Sequence, residues 1–151
     1  MLLESILAYA HFLAILSMVV FISSEAALCR SEWLNAAVVR RLARIDMIYA
    51  GAAVAVLLTG LARTVWGVKG AAWYWSQPLL HIKLTLFVII GLLSIKPTLQ
   101  FIRWRKQLDA TGALPDQDEV RRARRWVMIE AHLIVLVPLA ATLLARGVWT
   151  R

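Results

Sequence analysis

The chain has 151 residues, of which 61% are apolar and 17% charged, with a mean hydropathy of +0.70. A soluble domain carries about 25% charged residues and cannot hide this much apolar surface at this size. With 4 Pro, 7 Gly and 1 Cys, the chain is also not a disordered segment, a collagen-like repeat or a disulfide scaffold, which leaves an integral membrane protein.

Crossing the ~30 Å hydrocarbon core as a helix takes roughly 20 mostly apolar residues, and four stretches qualify. The first covers about 5–28. It lacks a basic leading segment (Met1-Leu2-Leu3-Glu4) and its apolar run is too long for a signal peptide, so it is expected to be a mature helix. The second, 46–66, carries Gly51, Ala55 and Thr59 at four-residue spacing, a small-residue stripe expected to admit a close neighbour. A loop over 67–77 precedes the third, 78–104, which opens on Pro78 at a first-turn position where a missing N–H costs nothing. The fourth covers 126–146. The segment Asp116-Gln-Asp-Glu119 reads as a cap with an acidic residue three places on, extending this helix out of the membrane from about 117. Pro97 and Pro138 are expected to kink the third and fourth helices. Short connections favour an all-α, up-down antiparallel four-helix bundle, a single transmembrane domain over 1–151.

The net charge is +8, and eleven of the 17 Lys and Arg fall between apolar runs: Arg30, Arg40, Arg41 and Arg44, then Arg103, Arg105, Lys106, Arg121, Arg122, Arg124 and Arg125. That is the positive-inside pattern of cytoplasmic loops rather than a nucleic-acid surface. It predicts a multi-pass protein of a bacterial inner membrane with both termini outside. Trp33, Trp104 and Trp126 are expected in an inner aromatic belt, and Trp66, Trp73, Trp75 and Trp149 in an outer one. The partners are the lipid bilayer and another membrane protein or further copies of the chain, with no nucleic acid.

Ionisable side chains at membrane depth are expensive and therefore functional candidates. His11 and His81 fall in the outer half on different helices, with Arg63, Lys69, Lys83 and Tyr74 around them. Two imidazoles ringed by cations suit a b-type haem, His11 and His81 supplying axial nitrogens and Arg63, Lys69 or Lys83 pairing with the propionates. No C-x-x-C-H segment exists for covalent attachment. Copper is the alternative metal, although Met1, Met18, Met47 and Met128 form no cluster of thioethers. His81 and Lys83 lie ~200° apart on a helix, so only one of them can face the bundle. Near the inner boundary, Glu25, Lys96 and Glu130 form a prospective charge-paired network, with His132 at similar depth. His11, Met18 and Glu25, seven apart, share one helix face.

The segments His11-Phe-Leu-Ala-Ile-Leu-Ser17, Arg40-Arg41-Leu-Ala-Arg44-Ile and His81-Ile-Lys83-Leu84, with Glu130, resemble in order the four helices of the HemJ-type protoporphyrinogen oxidases, members of a CopD-like group of four-helix membrane proteins. The resemblance implies His11 as a haem ligand and Lys83 as the residue contacting substrate or propionate, the catalytic candidate. Arg41-Leu-Ala-Arg-Ile-Asp46, Trp66-Gly-Val-Lys-Gly70, Gly91-Leu-Leu-Ser-Ile-Lys-Pro-Thr98 and Phe101-Ile-Arg-Trp-Arg105 are closer still to an uncharacterised bacterial family in that group. The expected function is haem b binding in the outer half with a redox or porphyrinogen-oxidase-like role. The alternatives are a cofactor-free structural or accessory subunit of a larger membrane complex, and a copper-handling CopD-like protein.

Overall fold

A computed structural model of the protein describes residues 1–147, and among these there are helices and no strand. Helix α1 runs Leu2–Leu28, α2 Ala36–Trp66, α3 Ala71–Ser76, α4 Pro78–Thr111 and α5 Gln117–Ala145. The four long helices have the length and hydropathy of membrane spans. They pack in a ring, α1 on α2, α2 on α4, α4 on α5 and α5 back on α1, which gives a four-helix membrane bundle.

The ring closes because each helix carries one inward stripe at three- and four-residue spacing. On α1 the stripe is Ala14, Met18, Ile22 and Glu25; on α2 it is Val39, Leu42, Ala43, Asp46, Tyr49, Ala52 and Val56. On α4 it includes Ile90, Pro97, Phe101, Trp104 and Leu108, and on α5 Val120, Ala123, Val127, Glu130 and Ile134. Along the spans the outer faces carry many exposed apolar side chains, among them Phe12, Val54, Val88 and Val135, as surfaces wetted by lipid require.

Three helices run beyond the expected spans at the end that carries the Arg-rich connections, called here the basic end. Helix α2 begins ten residues earlier than 46, capped by the Asn35 side chain, which accepts from the Val38 N–H at 2.9 Å. Its 31 residues measure about 46 Å, well over a bilayer core. Helix α4 continues to Thr111, where Gly112 takes a φ of +71° and donates its N–H to the Leu108 carbonyl at 2.8 Å. Asp116 Oδ1 accepts from the Gln117 N–H at 2.8 Å to start α5. Glu119 does not close a capping box; it accepts from Arg103 at 3.3 Å and from Gln100 at 3.5 Å, joining α5 to α4. The extensions exist because Val39, Leu42, Leu108, Val120 and Ala123 prolong the apolar stripe among arginines, so the core continues past the membrane.

Several sequence expectations change in this setting. The 67–77 segment is not a plain loop, since α3 forms within it. Trp104 is no belt residue; it is 1% exposed and packs edge-on against Phe101 at 5.5 Å between ring centroids. Trp33, Trp66 and Trp75 do stand on the surface, and Trp149 lies outside the described residues. Gly51 faces open space, so the close approach of α1 to α2 is not made there.

Candidate functional site

The end opposite the basic end holds an open cavity of about 410 Å³ between α1, α2, α4 and α5, roofed by the α3 segment. His11, Arg63, Lys69, Tyr74 and Lys83 line it, and a narrower apolar chamber of about 80 Å³ continues beneath, walled by Ile15, Val56, Leu57, Leu84 and Phe87. Both chambers share His11, Gly60, Thr64 and Lys83.

His11 is placed by α2. The Thr59 hydroxyl donates to the Ala55 carbonyl at 2.6 Å, which spends its only proton. It therefore accepts from His11 Nδ1–H at 2.8 Å. That fixes the tautomer and leaves Nε2 with a free lone pair, the form an imidazole needs to ligate a metal. The neighbouring Gly60 makes room: a Cβ there would stand 3.2 Å from His11 Cε1. Thr59 thus acts through its hydroxyl, and the small-residue approach sits one residue beyond the end of the expected stripe.

The angular conflict on α4 resolves in favour of Lys83. It lines both chambers, while His81 stands exposed on the far side and donates Nε2–H to the Trp75 carbonyl at 2.9 Å. His11 and His81 are therefore not brought together, and the nitrogen His81 would offer a metal is already protonated and engaged. Arg63 and Lys83 are both within electrostatic reach of His11, and neither forms an ion pair among the described residues. Lys69 lies over the Trp73 ring at 4.0 Å to the centroid, and Trp73 packs edge-on against Tyr74, forming an aromatic and cationic rim. Lys83 borders the apolar chamber and, with Arg63 and Lys69, the open cavity above it, a combination chemically suited to an anionic head on an apolar body.

The polar cluster near the basic end has a different membership from the expected one. Lys96 does not pair with Glu25 or Glu130; its ammonium lies over Trp126 at 4.2 Å on the bundle surface. His132 is also exposed, donating Nδ1–H to its own helix at the Met128 carbonyl, 2.6 Å away. In their place stand Asp46 and Tyr49 of α2, buried with Glu25 and Glu130. The Thr98 hydroxyl of α4 donates to Asp46 Oδ1 at 3.1 Å. Asp46 reads in the sequence as the polar boundary of a helix. The signal that finds it is the run Leu42, Asp46, Tyr49, Ala52 and Val56, which sets it on the inward stripe. Beside Glu25, burial pushes the Cys29 thiol up to about 12, so it stays protonated. Among the described residues no three or more His, Cys, Asp or Glu are gathered to hold a metal ion.

No curated protein and no solved structure matches the chain. A family described as "Predicted membrane protein (DUF2214)" does, over residues 3–149. With four membrane-length apolar helices and a match spanning nearly its whole length, the chain belongs to this family of membrane proteins.

Proposed function

We propose that the cavity opposite the basic end binds a b-type haem, with His11 as the axial ligand and Lys83, Arg63 and Lys69 receiving the propionates. The observation that carries this reading is the contact of His11 Nδ1 with the Thr59 hydroxyl, already committed as a donor to Ala55, which assigns the proton to Nδ1 and leaves Nε2 unprotonated beside an apolar chamber. The donor set fits the group: one neutral imidazole for the iron, the walls of the open cavity of about 410 Å³, Phe12, Ile15, Trp73 and Leu80 among them, for the macrocycle, and three cations for two carboxylates. When bound, the haem supplies one-electron redox chemistry. The chain's own part is to hold the iron through His11, neutralise the propionates at the rim and keep bulk water from the apolar chamber. Lys83, which lines both chambers, is the cation this reading assigns to a propionate or to an acidic substrate entering over the rim.

The Arg-rich connections support a cytoplasmic basic end, with both termini on the outer face of a bacterial inner membrane. A cysteine introduced at Thr111 or Gly112 is then closed to an impermeant reagent in intact cells. The haem reading is tested by purifying the protein from haem-replete cells and recording its absorption. The expected spectrum has a Soret band that shifts on reduction with dithionite and is absent from H11A. Colourless wild-type protein, or an H11A variant with the same band, overturns the proposal.

A further inference from the structure

The second buried polar cluster is independent of the cavity and has its own chemistry. Glu25 of α1, Asp46 of α2 and Glu130 of α5 all occupy core-facing positions, 1–2% exposed. No lysine or arginine forms an ion pair with any of them among the described residues. Both Glu25 oxygens and Glu130 Oε1 are buried without a hydrogen-bond partner, although Glu25 lies beside Asp46 and within electrostatic reach of Glu130. A buried ionised carboxylate needs a cation or several donors, and three side by side need them more. Among the described residues the Thr98 hydroxyl donates to Asp46, and no hydrogen bond reaches the bare carboxyl oxygens of either glutamate.

A separate observation points to what the cluster binds. The Tyr49 hydroxyl is 2% exposed for its residue, has no hydrogen-bond partner and is directed at the carboxyls, nearest Glu130. An unused donor beside an acid group stabilises the anion that remains once a proton leaves. The described residues gather no metal-holding set, and a bound proton takes up no volume of its own.

We infer that Glu25, Asp46, Tyr49 and Glu130 form a proton-binding site near the basic end, where Glu25 and Glu130 are carboxylic acids, Asp46 is the carboxylate, and protons exchange with the aqueous phase on that side. In release, the Glu130 O–H bond breaks, the proton passes to water, and the Tyr49 hydroxyl turns to donate to the new carboxylate. Uptake reverses each change. Among the described residues, titratable and polar groups face the site from each of the four long helices. Helix α1 offers Glu25, with the Cys29 thiol next to it; α2 offers Asp46 and Tyr49; α4 offers Thr98; and α5 offers Glu130, with Arg124 reaching only as far as Cys29. Lys96 and His132 are turned to the surface.

Infrared spectroscopy of the whole protein in lipid nanodiscs at neutral pH tests this without reference to any cofactor. The wild type is expected to show a carboxylic-acid C=O band, separate from the carboxylate bands, that shifts on transfer into D2O. E25Q and E130Q each remove part of that band, whereas D46N leaves it in place. In Y49F the band persists to higher pH than in the wild type, because the Glu130 anion has lost its donor. Absence of the acid band at neutral pH, its survival intact in both Gln variants, or its failure to shift in D2O each overturns the inference. Gln keeps the size and neutrality of the acid. If either Gln variant nevertheless fails to assemble, the Y49F titration decides: an unshifted titration overturns the site.

Discussion

The two ends of the bundle solve the problem of charge in a membrane in opposite ways. At the end under α3, the charges are cations on long stems, half-buried or exposed around an open cavity, and water or a ligand can answer them. At the basic end, the inward polar groups are carboxyls, 1–2% exposed, in a packed core with Phe101, Trp104 and Val127. The first arrangement suits a ligand that brings negative charge, and the second suits a group that can become neutral. Lysine and arginine stems snorkel to an opening, but a short Asp or Glu on a core stripe has no such escape. Side-chain length and protonation chemistry, more than depth alone, separate the two.

The sharpest way to break this comparison is at His11. H11A is expected to remove most of the bound haem, while H81A and H132A retain it, because only His11 lines the cavity. Equal retention by all three, read from the Soret absorbance per protein, eliminates the cavity as the haem site. Next in size is F101A, which empties a fully buried aromatic position against Trp104. It is expected to cost about 3–5 kcal/mol of stability, measured by denaturation in detergent, without altering the haem spectrum of the folded fraction. A spectral change in that fraction shows that the two ends are coupled.

A finer distinction lies in Thr59. T59V removes the acceptor that holds His11 Nδ1–H, and haem affinity is expected to fall roughly 10–100-fold, as for loss of other groups that orient a metal ligand. Titration of the apoprotein with haemin measures it, and an unchanged affinity shows that Thr59 does not position the ligand. The smallest effect belongs to the surface of the basic end. Arg40 and Asp109 approach to 3.3 Å but are 57% and 53% exposed, so D109N changes stability by less than about 1 kcal/mol. A larger loss means that the helical extensions are held together by their charges rather than by Val39, Leu42 and Leu108.

Composition and the length of the apolar runs suffice for the four spans, because a bilayer of fixed thickness admits few other solutions for such a chain. His11 and Lys83 are legible as polar residues at membrane depth, and the ~200° between His81 and Lys83 is legible from helical geometry alone. Which of those two faces inward depends on how α4 is rotated against α2 and α5, and only the packing of Leu79, Leu80 and Ile90 into the bundle sets that rotation. The burial of Asp46 is not legible in the hydropathy of the sequence for a related reason. Hydropathy marks a charged residue as the end of a span, while the continuous stripe of α2 carries the helix ten residues further and puts that carboxyl in the core. Trp104 moved from lipid to core by the same extension of α4 and α5. The order of residues along the chain is enough to count the membrane-length helices and to name the polar groups they carry. The tertiary structure alone decided which of those groups meet, since each meeting depends on rotation and overhang of whole helices that no local pattern encodes.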